Sequence, residues 1–140
     1  TVTRAQFTLM LAAAAGLHPV DSPQLEFADS VPGWAAGYVA AAVDAGLVMG
    51  FDDGTFRPDA PITREQLAVM VVRALGGAEA AASLDFADAD AISAWAASGV
   101  AEAVRLGLVT GFEDRTFRPQ AIATRAQAAT IIARLLPHLR

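Results

Sequence analysis

Three times in 140 residues a threonine is followed by an arginine and, two positions later, a glutamine: Thr3-Arg4-Ala5-Gln6, Thr63-Arg64-Glu65-Gln66 and Thr124-Arg125-Ala126-Gln127. Thr-x-x-Gln is a capping box, in which the hydroxyl takes one orphan N–H of a helix start and the amide takes another. An arginine directly after the cap sets a fixed positive charge at the positive end of the helix dipole, at a cost of a few tenths to about 1 kcal/mol. A locally unfavourable choice made three times points to an oppositely charged partner. Guanidinium, first-turn N–H groups and dipole together suit a small anion, and a carboxylate fits best. Arginine grips it bidentately, through charge-assisted bonds worth about 1.5 to 3 kcal/mol each. The competing reading pairs each arginine with a loop acid such as Asp53, Asp59 or Asp114.

Other residues carry weaker signals. Trp34 and Trp95 precede apolar helical stretches, where packing into the core is the favoured reading and stacking on a sugar face the alternative. Phe56 and Phe117, between turn and proline, read as core, whereas Arg57 and Arg118 either line a groove or pair locally. Gly50 and Gly111 either admit a ligand close to the backbone or supply positive φ after a helix. Asp52-Asp53-Gly54 invites a calcium reading, but it lacks the alternating oxygens and closing Glu of an EF-hand, and its second copy has Arg115 at the glycine position, which alters the turn or adds a cation. No metal or cofactor is expected.

Catalysis finds little support. There is no cysteine, His18 and His138 lie in a connector and at the tail, and no phosphate loop or metal-binding His pair appears. Glu65 and Glu102 fall on different elements with no reason to converge. A net charge of -5 has the wrong sign for neutralising nucleic-acid phosphates with a basic surface. Apolar runs are interrupted well short of the roughly 20 residues a bilayer span needs, so membrane insertion is not expected. Thr1 opens directly on a helix start with no signal peptide, which reads as a fragment of something longer.

The elements that must position the arginines repeat with them. Phe27-Ala28-Asp29 returns as Phe86-Ala87-Asp88, Trp34 as Trp95, Gly46-Leu47-Val48 as Gly107-Leu108-Val109, and Thr55-Phe56-Arg57-Pro58 as Thr116-Phe117-Arg118-Pro119. The offset is 59 at the Phe and 61 from the Trp onward, so the second copy has two extra residues before its Trp. Each unit reads as helix, loop, helix. The first helix begins near the Trp and ends at Gly46 or Gly107 in a glycine C-cap. Pro58 and Pro61 then bar helix until Thr63. The capped helices carry apolar stripes: Phe7, Met10, Leu11 and Ala14; Leu67, Met70, Val71 and Ala74; Ala128, Ile131, Ile132 and Leu135. One unit cannot bury such stripes alone. With 54% hydrophobic residues to form a core, the expectation is an all-α fold, its helix-loop-helix repeats in a pseudo-threefold arrangement around a central helical bundle. The boundaries are residues 1–15 for the closing half of a first repeat, 16–26 for a connector, 27–75 for a second repeat, 76–85 for a connector and 86–136 for a third, together one domain.

The ordered anchors Phe27-Ala28-Asp29, Trp34, Gly46-Leu47-Val48-Met49-Gly50, Asp53-Gly54-Thr55-Phe56-Arg57-Pro58 and Ile62-Thr63-Arg64-Glu65-Gln66, recurring from Phe86 to Gln127, resemble the S-layer homology (SLH) family. The resemblance implies a non-catalytic module, usually of three repeats, that anchors exported proteins at the cell surface. The implied ligand is a secondary cell-wall polymer linked to peptidoglycan, often ending in pyruvylated N-acetylmannosamine and held in grooves between repeats. The family's Thr-Arg-Ala-Glu motif maps onto the three capping boxes, with arginine the contact to the ketal pyruvate. All three copies have Gln where that motif has Glu, which keeps the cap and removes a carboxylate. The ligand-binding set is therefore expected among Arg4, Arg64, Arg125, Thr3, Thr63, Thr124, Gln66, Gln127, Gly50, Gly111, Asp53, Asp114, Trp34 and Trp95. Expected partners are an acidic or pyruvylated wall polysaccharide and, through self-association, a homo-oligomer or S-layer lattice. A protein-protein assembly module using the same repeat faces is the alternative.

Overall fold

The computed structural model describes residues 1–77 and 84–139, so the 76–85 connector lies partly outside the described residues. The fold is all-α, as expected: α1 (Arg4–Ala14), α2 (Gly33–Asp44), α3 (Arg64–Arg73), α4 (Ala97–Arg105) and α5 (Arg125–Leu135), with short 3₁₀ turns at Ala89–Ala91 and Leu136–His138. No strand forms among the described residues; extended pairing is limited to isolated bridges between Thr3 and Pro61 and between Thr63 and Ile122.

All three capping boxes form. Thr3, Thr63 and Thr124 accept from the N–H of Gln6, Gln66 and Gln127, and each glutamine side chain accepts from the threonine N–H. Gly46 and Gly107, at φ 78° and 75°, turn the chain out of α2 and α4 in the left-handed region. The apolar stripes face inward: Phe7, Leu11, Leu67, Met70, Val71, Ala128, Ile131 and Leu135 are all buried in one continuous core. α1 packs on α2, α3 on α4, and α5 touches both α1 and α3.

The two loops between helices are built alike. Phe51 N–H donates to Thr55 O at 2.8 Å and Phe112 N–H to Thr116 O at 2.9 Å, closing the turns. The Asp29 carboxylate then accepts from the N–H groups of Phe56 and Arg57, both at 2.8 Å, and Asp88 accepts from Phe117 and Arg118 at 2.8 and 2.9 Å. So the Asp of each Phe-Ala-Asp segment clasps the loop of its own repeat. Phe27 packs on Phe56 with centroids 5.1 Å apart, and Phe86 on Phe117 at 5.3 Å. Phe56 and Phe117 are core residues, as expected.

These aspartates make the fold acid-sensitive. Chiefly the Phe56 N–H holds the Asp29 carboxyl below its usual value; at Asp88 burial pushes upward, and the N–H groups of Phe117 and Arg118 override it. In the turns, the Thr55 hydroxyl foremost brings Asp53 down to about 2, and the Thr116 hydroxyl lowers Asp114. Folded values below unfolded ones mean that the unfolded chain takes up more protons as pH falls, so this stability is full above the unfolded value of about 4 and lost on the way down. A melting temperature that is level above about pH 5 and drops between about pH 4 and 2 is the expected result of thermal denaturation across pH.

Arg115 does not alter the turn. It takes φ 68° where Gly54 has 84°, and the same two backbone bonds form around it. A residue with a Cβ held in the left-handed region is strained, and a Cβ at Gly54 would meet no atom within 4 Å, so the strain lies in the residue's own backbone conformation rather than in crowding by neighbours. Arg115→Gly should raise stability by up to about 1 kcal/mol in urea titrations, with the slope unchanged.

Candidate functional site

Arg4 and Arg64 stand first in α1 and α3, yet they are 5% and 8% exposed. Their side chains leave the helix start and run into the loop of the following repeat. Arg4 Nε donates to Phe56 O at 2.9 Å and a terminal nitrogen to Met49 O at 3.2 Å; Arg64 does the same to Phe117 O at 2.8 Å and Thr110 O at 2.9 Å. The Arg4 guanidinium lies 4.5 Å from the Phe51 ring centroid and that of Arg64 lies 4.7 Å from Phe112. Arg57 and Arg118 cover the same two rings at 3.8 and 3.7 Å.

Neither buried arginine has a carboxylate within ion-pair distance among the described residues. Asp53 and Asp114 instead hold Arg57 and Arg118, at 3.0 and 3.2 Å. Burial first, then the charge of Arg57, brings Arg4 down to about 10, and burial and Arg118 lower Arg64. Two buried cations, each beside a second cation, are thus held by carbonyl dipoles and ring faces, with the Asp29 or Asp88 charge acting from a greater distance.

Both open onto a cleft. The first, about 300 Å³, is lined by Arg4, Met49, Gly50, Phe51, Gln66, Arg73 and Trp95, among others. The second, about 330 Å³, is lined by the matching Arg64, Thr110, Gly111, Phe112, Gln127 and Arg134. One wall is the loop of a repeat, the other that repeat's own capped helix, and the arginine enters from the helix of the repeat before. The position-by-position match makes these clefts the candidate site.

A family model for the S-layer homology domain matches residues 26–68 and 85–129, more than half of the chain. The chain belongs to the S-layer homology family. Over 141 residues, 97% of this SLH chain, it is 40% identical to an endoglucanase of Bacillus sp. (strain KSM-635), of which the match covers 15%. It is 34% identical over 106 residues to the cellulosome-anchoring protein of Acetivibrio thermocellus, covering 74% of this chain and 24% of that protein. With the surface-layer 125 kDa protein of Lysinibacillus sphaericus it shares 32% over 128 residues, 91% of this chain and 11% of the relative. The SLH chain therefore spans well under two thirds of each, and what they have in common is a module within larger proteins of different kinds.

Several expectations change in the structure. The first-turn N–H groups of α1 and α3 are not free for an anion. Arg4 and Ala5 donate theirs to Ala60 O and Pro58 O, and Arg64 and Glu65 to Ala121 O and Pro119 O. The arginines do not pair with Asp53, Asp59 or Asp114. Asp53 and Asp114 lie outside both cleft linings, each accepting from the N–H and hydroxyl of the threonine two residues on. Arg57 and Arg118 pair locally, and Arg115 does not line a cleft.

Trp34 and Trp95 are not core: they are 56% and 59% exposed, and of the two only Trp95 lines a cleft. The alanines beside them, Ala35 and Ala96, take the buried positions. Gly50 and Gly111 do not supply positive φ; they are small because a Cβ would lie 2.6 and 2.5 Å from the rings of Phe27 and Phe86. Arg125, at the start of α5, is exposed and lines neither cleft. Thr3, Thr63 and Thr124 serve as caps, while Gln66 and Gln127 both cap and line the clefts.

Sequence reasoning passed over Arg73 and Arg134, nine residues after Arg64 and Arg125, which line the first and second cleft. Their identical spacing was the available signal. It also left unassigned Phe51 and Phe112, the rings that carry the cations.

Proposed function

We propose that this domain is a non-catalytic, cell-surface anchoring module that binds an acidic wall polysaccharide in its two clefts. The pyruvylated end of a peptidoglycan-linked secondary cell-wall polymer is the best-fitting ligand. The observation that carries the reading is the pair of buried guanidinium groups, Arg4 and Arg64, each at a cleft and, among the described residues, without a carboxylate in ion-pair contact. A ligand carboxylate supplies a directly contacting counter-charge in a partly dehydrated setting, where a charge-assisted bond counts for more than it does in water. Arg73 and Arg134 add a second cation further along each cleft. Relatives named as a cellulosome-anchoring protein and a surface-layer protein support envelope association.

The repeats 27–75 and 86–136, with the half repeat 1–15, form one domain in this reading, in a pseudo-threefold arrangement around α1, α3 and α5. In support, the backbone bonds that join α1 to the first loop recur between α3 and the second. Sedimentation with purified wall sacculi tests the function: the domain should be retained on native sacculi and released when pyruvate is stripped from the polymer. Undiminished retention after stripping would overturn the choice of ligand.

Trp34, exposed and outside both clefts, favours a second reading in which the repeat faces also assemble chains into an oligomer or lattice. Light scattering that stays monomeric across concentration would remove it.

A further inference from the structure

The two clefts are matched in their arginines and glutamines but not in their rims. Trp95 stands over the first, and no tryptophan lines the second. Two residues before Trp95 lies a contact that occurs in one repeat only. Glu65, the second residue of α3, is 4% exposed. Its Oε1 accepts from Ser93 N–H at 2.9 Å and its Oε2 from the Ser93 hydroxyl at 2.6 Å. The equivalent positions of α1 and α5 are Ala5 and Ala126, with no such reach.

The other end of the contact differs in step. Ser93 corresponds to Pro32, which starts α2 by accepting at its carbonyl from Ala35 and Ala36 N–H. At Ser93 the matching Ala96 N–H donates to Ser93 O at 2.9 Å, but the next donor, Ala97 N–H, turns to Ala94 O at 3.4 Å, and α4 begins only at Ala97. Trp95 lies in the turn between Ser93 and Ala97. The two extra residues of this repeat fold into the Ala89–Ala91 turn just before it, whose Ala91 carbonyl accepts from the Gln120 side chain at 3.0 Å. Gly99 allows α4 to close on α3: a Cβ there would lie 2.9 Å from Cγ2 of Val69, itself a cleft residue.

We propose that Glu65 is a positioning residue that clamps Ser93 and thereby seats Trp95 at the rim of the first cleft, making that cleft the tighter of the two for a sugar ring. The indole offers a broad apolar face on which the less polar side of a pyranose can lie, while Arg4 holds the acidic substituent; the second cleft has the cation without the wall. This rests on the polysaccharide reading for its ligand, but the clamp itself can be read without one.

The two tryptophans give two indole N–H resonances, so Trp34 serves as the internal control. In Glu65→Ala, and more mildly in Glu65→Gln and Ser93→Ala, the Trp95 resonance should shift or broaden while that of Trp34 stays in place. Titration with the methyl glycoside of 4,6-pyruvylated N-acetylmannosamine then separates the clefts. In an Arg64→Ala background Glu65→Gln should weaken binding about fivefold, and in an Arg4→Ala background it should change nothing. A Trp95 resonance indifferent to all three substitutions, or equal weakening in both backgrounds, overturns the clamp. If the wild-type domain ignores the glycoside while the Trp95 resonance still moves, the ligand assignment fails and the seating role of Glu65 stands.

Discussion

Arg4→Ala should convert a domain with two binding sites into one with a single site, and Arg64→Ala should do the same at the other cleft. In each case the remaining cleft should keep its affinity, because the two arginines enter different loops. The lost site should weaken by about 10- to 100-fold, the worth of one or two charge-assisted bonds. The same substitution should cost about 2 to 3 kcal/mol of stability, since Phe56 O and Met49 O, or Phe117 O and Thr110 O, lose their donors. Arg4→Lys should fall between, because an ammonium keeps the charge but not the planar fork that meets two carbonyls and a ligand together. Arg125→Ala, by contrast, should alter neither stability nor stoichiometry. Calorimetric titration gives the number of sites, and urea denaturation gives the stability.

Gly50→Ala and Gly111→Ala should be the most damaging small changes in the chain. At Gly50 the added carbon would sit 2.6 Å from Cε1 of Phe27 and 2.9 Å from Thr55 O, and at Gly111 2.5 Å from Phe86 and 2.9 Å from Thr116 O. The carbonyl belongs to the turn that accepts from Phe51 or Phe112 N–H, so it cannot yield without opening the loop. The ring belongs to the aromatic pair beneath it. Overpacking of this kind costs about 3 kcal/mol, which for a chain of this length lowers the melting temperature by roughly 10 °C. Gly33→Ala, at a position where a Cβ meets nothing within 4 Å, should be nearly neutral in the same thermal melts.

How much of this could be read from the chain depended on how far apart the cooperating groups lie in sequence. The capping boxes, the glycine helix ends and the apolar stripes are local patterns, and they form as read. The partners of Arg4 and Arg64 are carbonyls 45 to 53 residues away, which carry no side-chain signature and are invisible before folding. For the same reason the first-turn N–H groups looked available for an anion, although a neighbouring loop consumes them. Trp34 and Trp95 were misjudged by size: in an alanine-rich bundle the smaller Ala35 and Ala96 fill the close-packed interior and leave the indoles outside. Glu65 reads in the sequence as a carboxylate with no partner to converge on, because the group it holds, Ser93, lies 28 residues on.

The buried arginines are most directly tested by following the Nε–H resonances of Arg4 and Arg64 while a pyruvylated wall disaccharide, and separately the same disaccharide without pyruvate, is added. The expected result is that both resonances shift with the acidic sugar, saturating at two ligands per chain, and stay in place with the neutral one. Equal responses to the two sugars, or binding that leaves both resonances unmoved, would contradict the role given to these guanidinium groups.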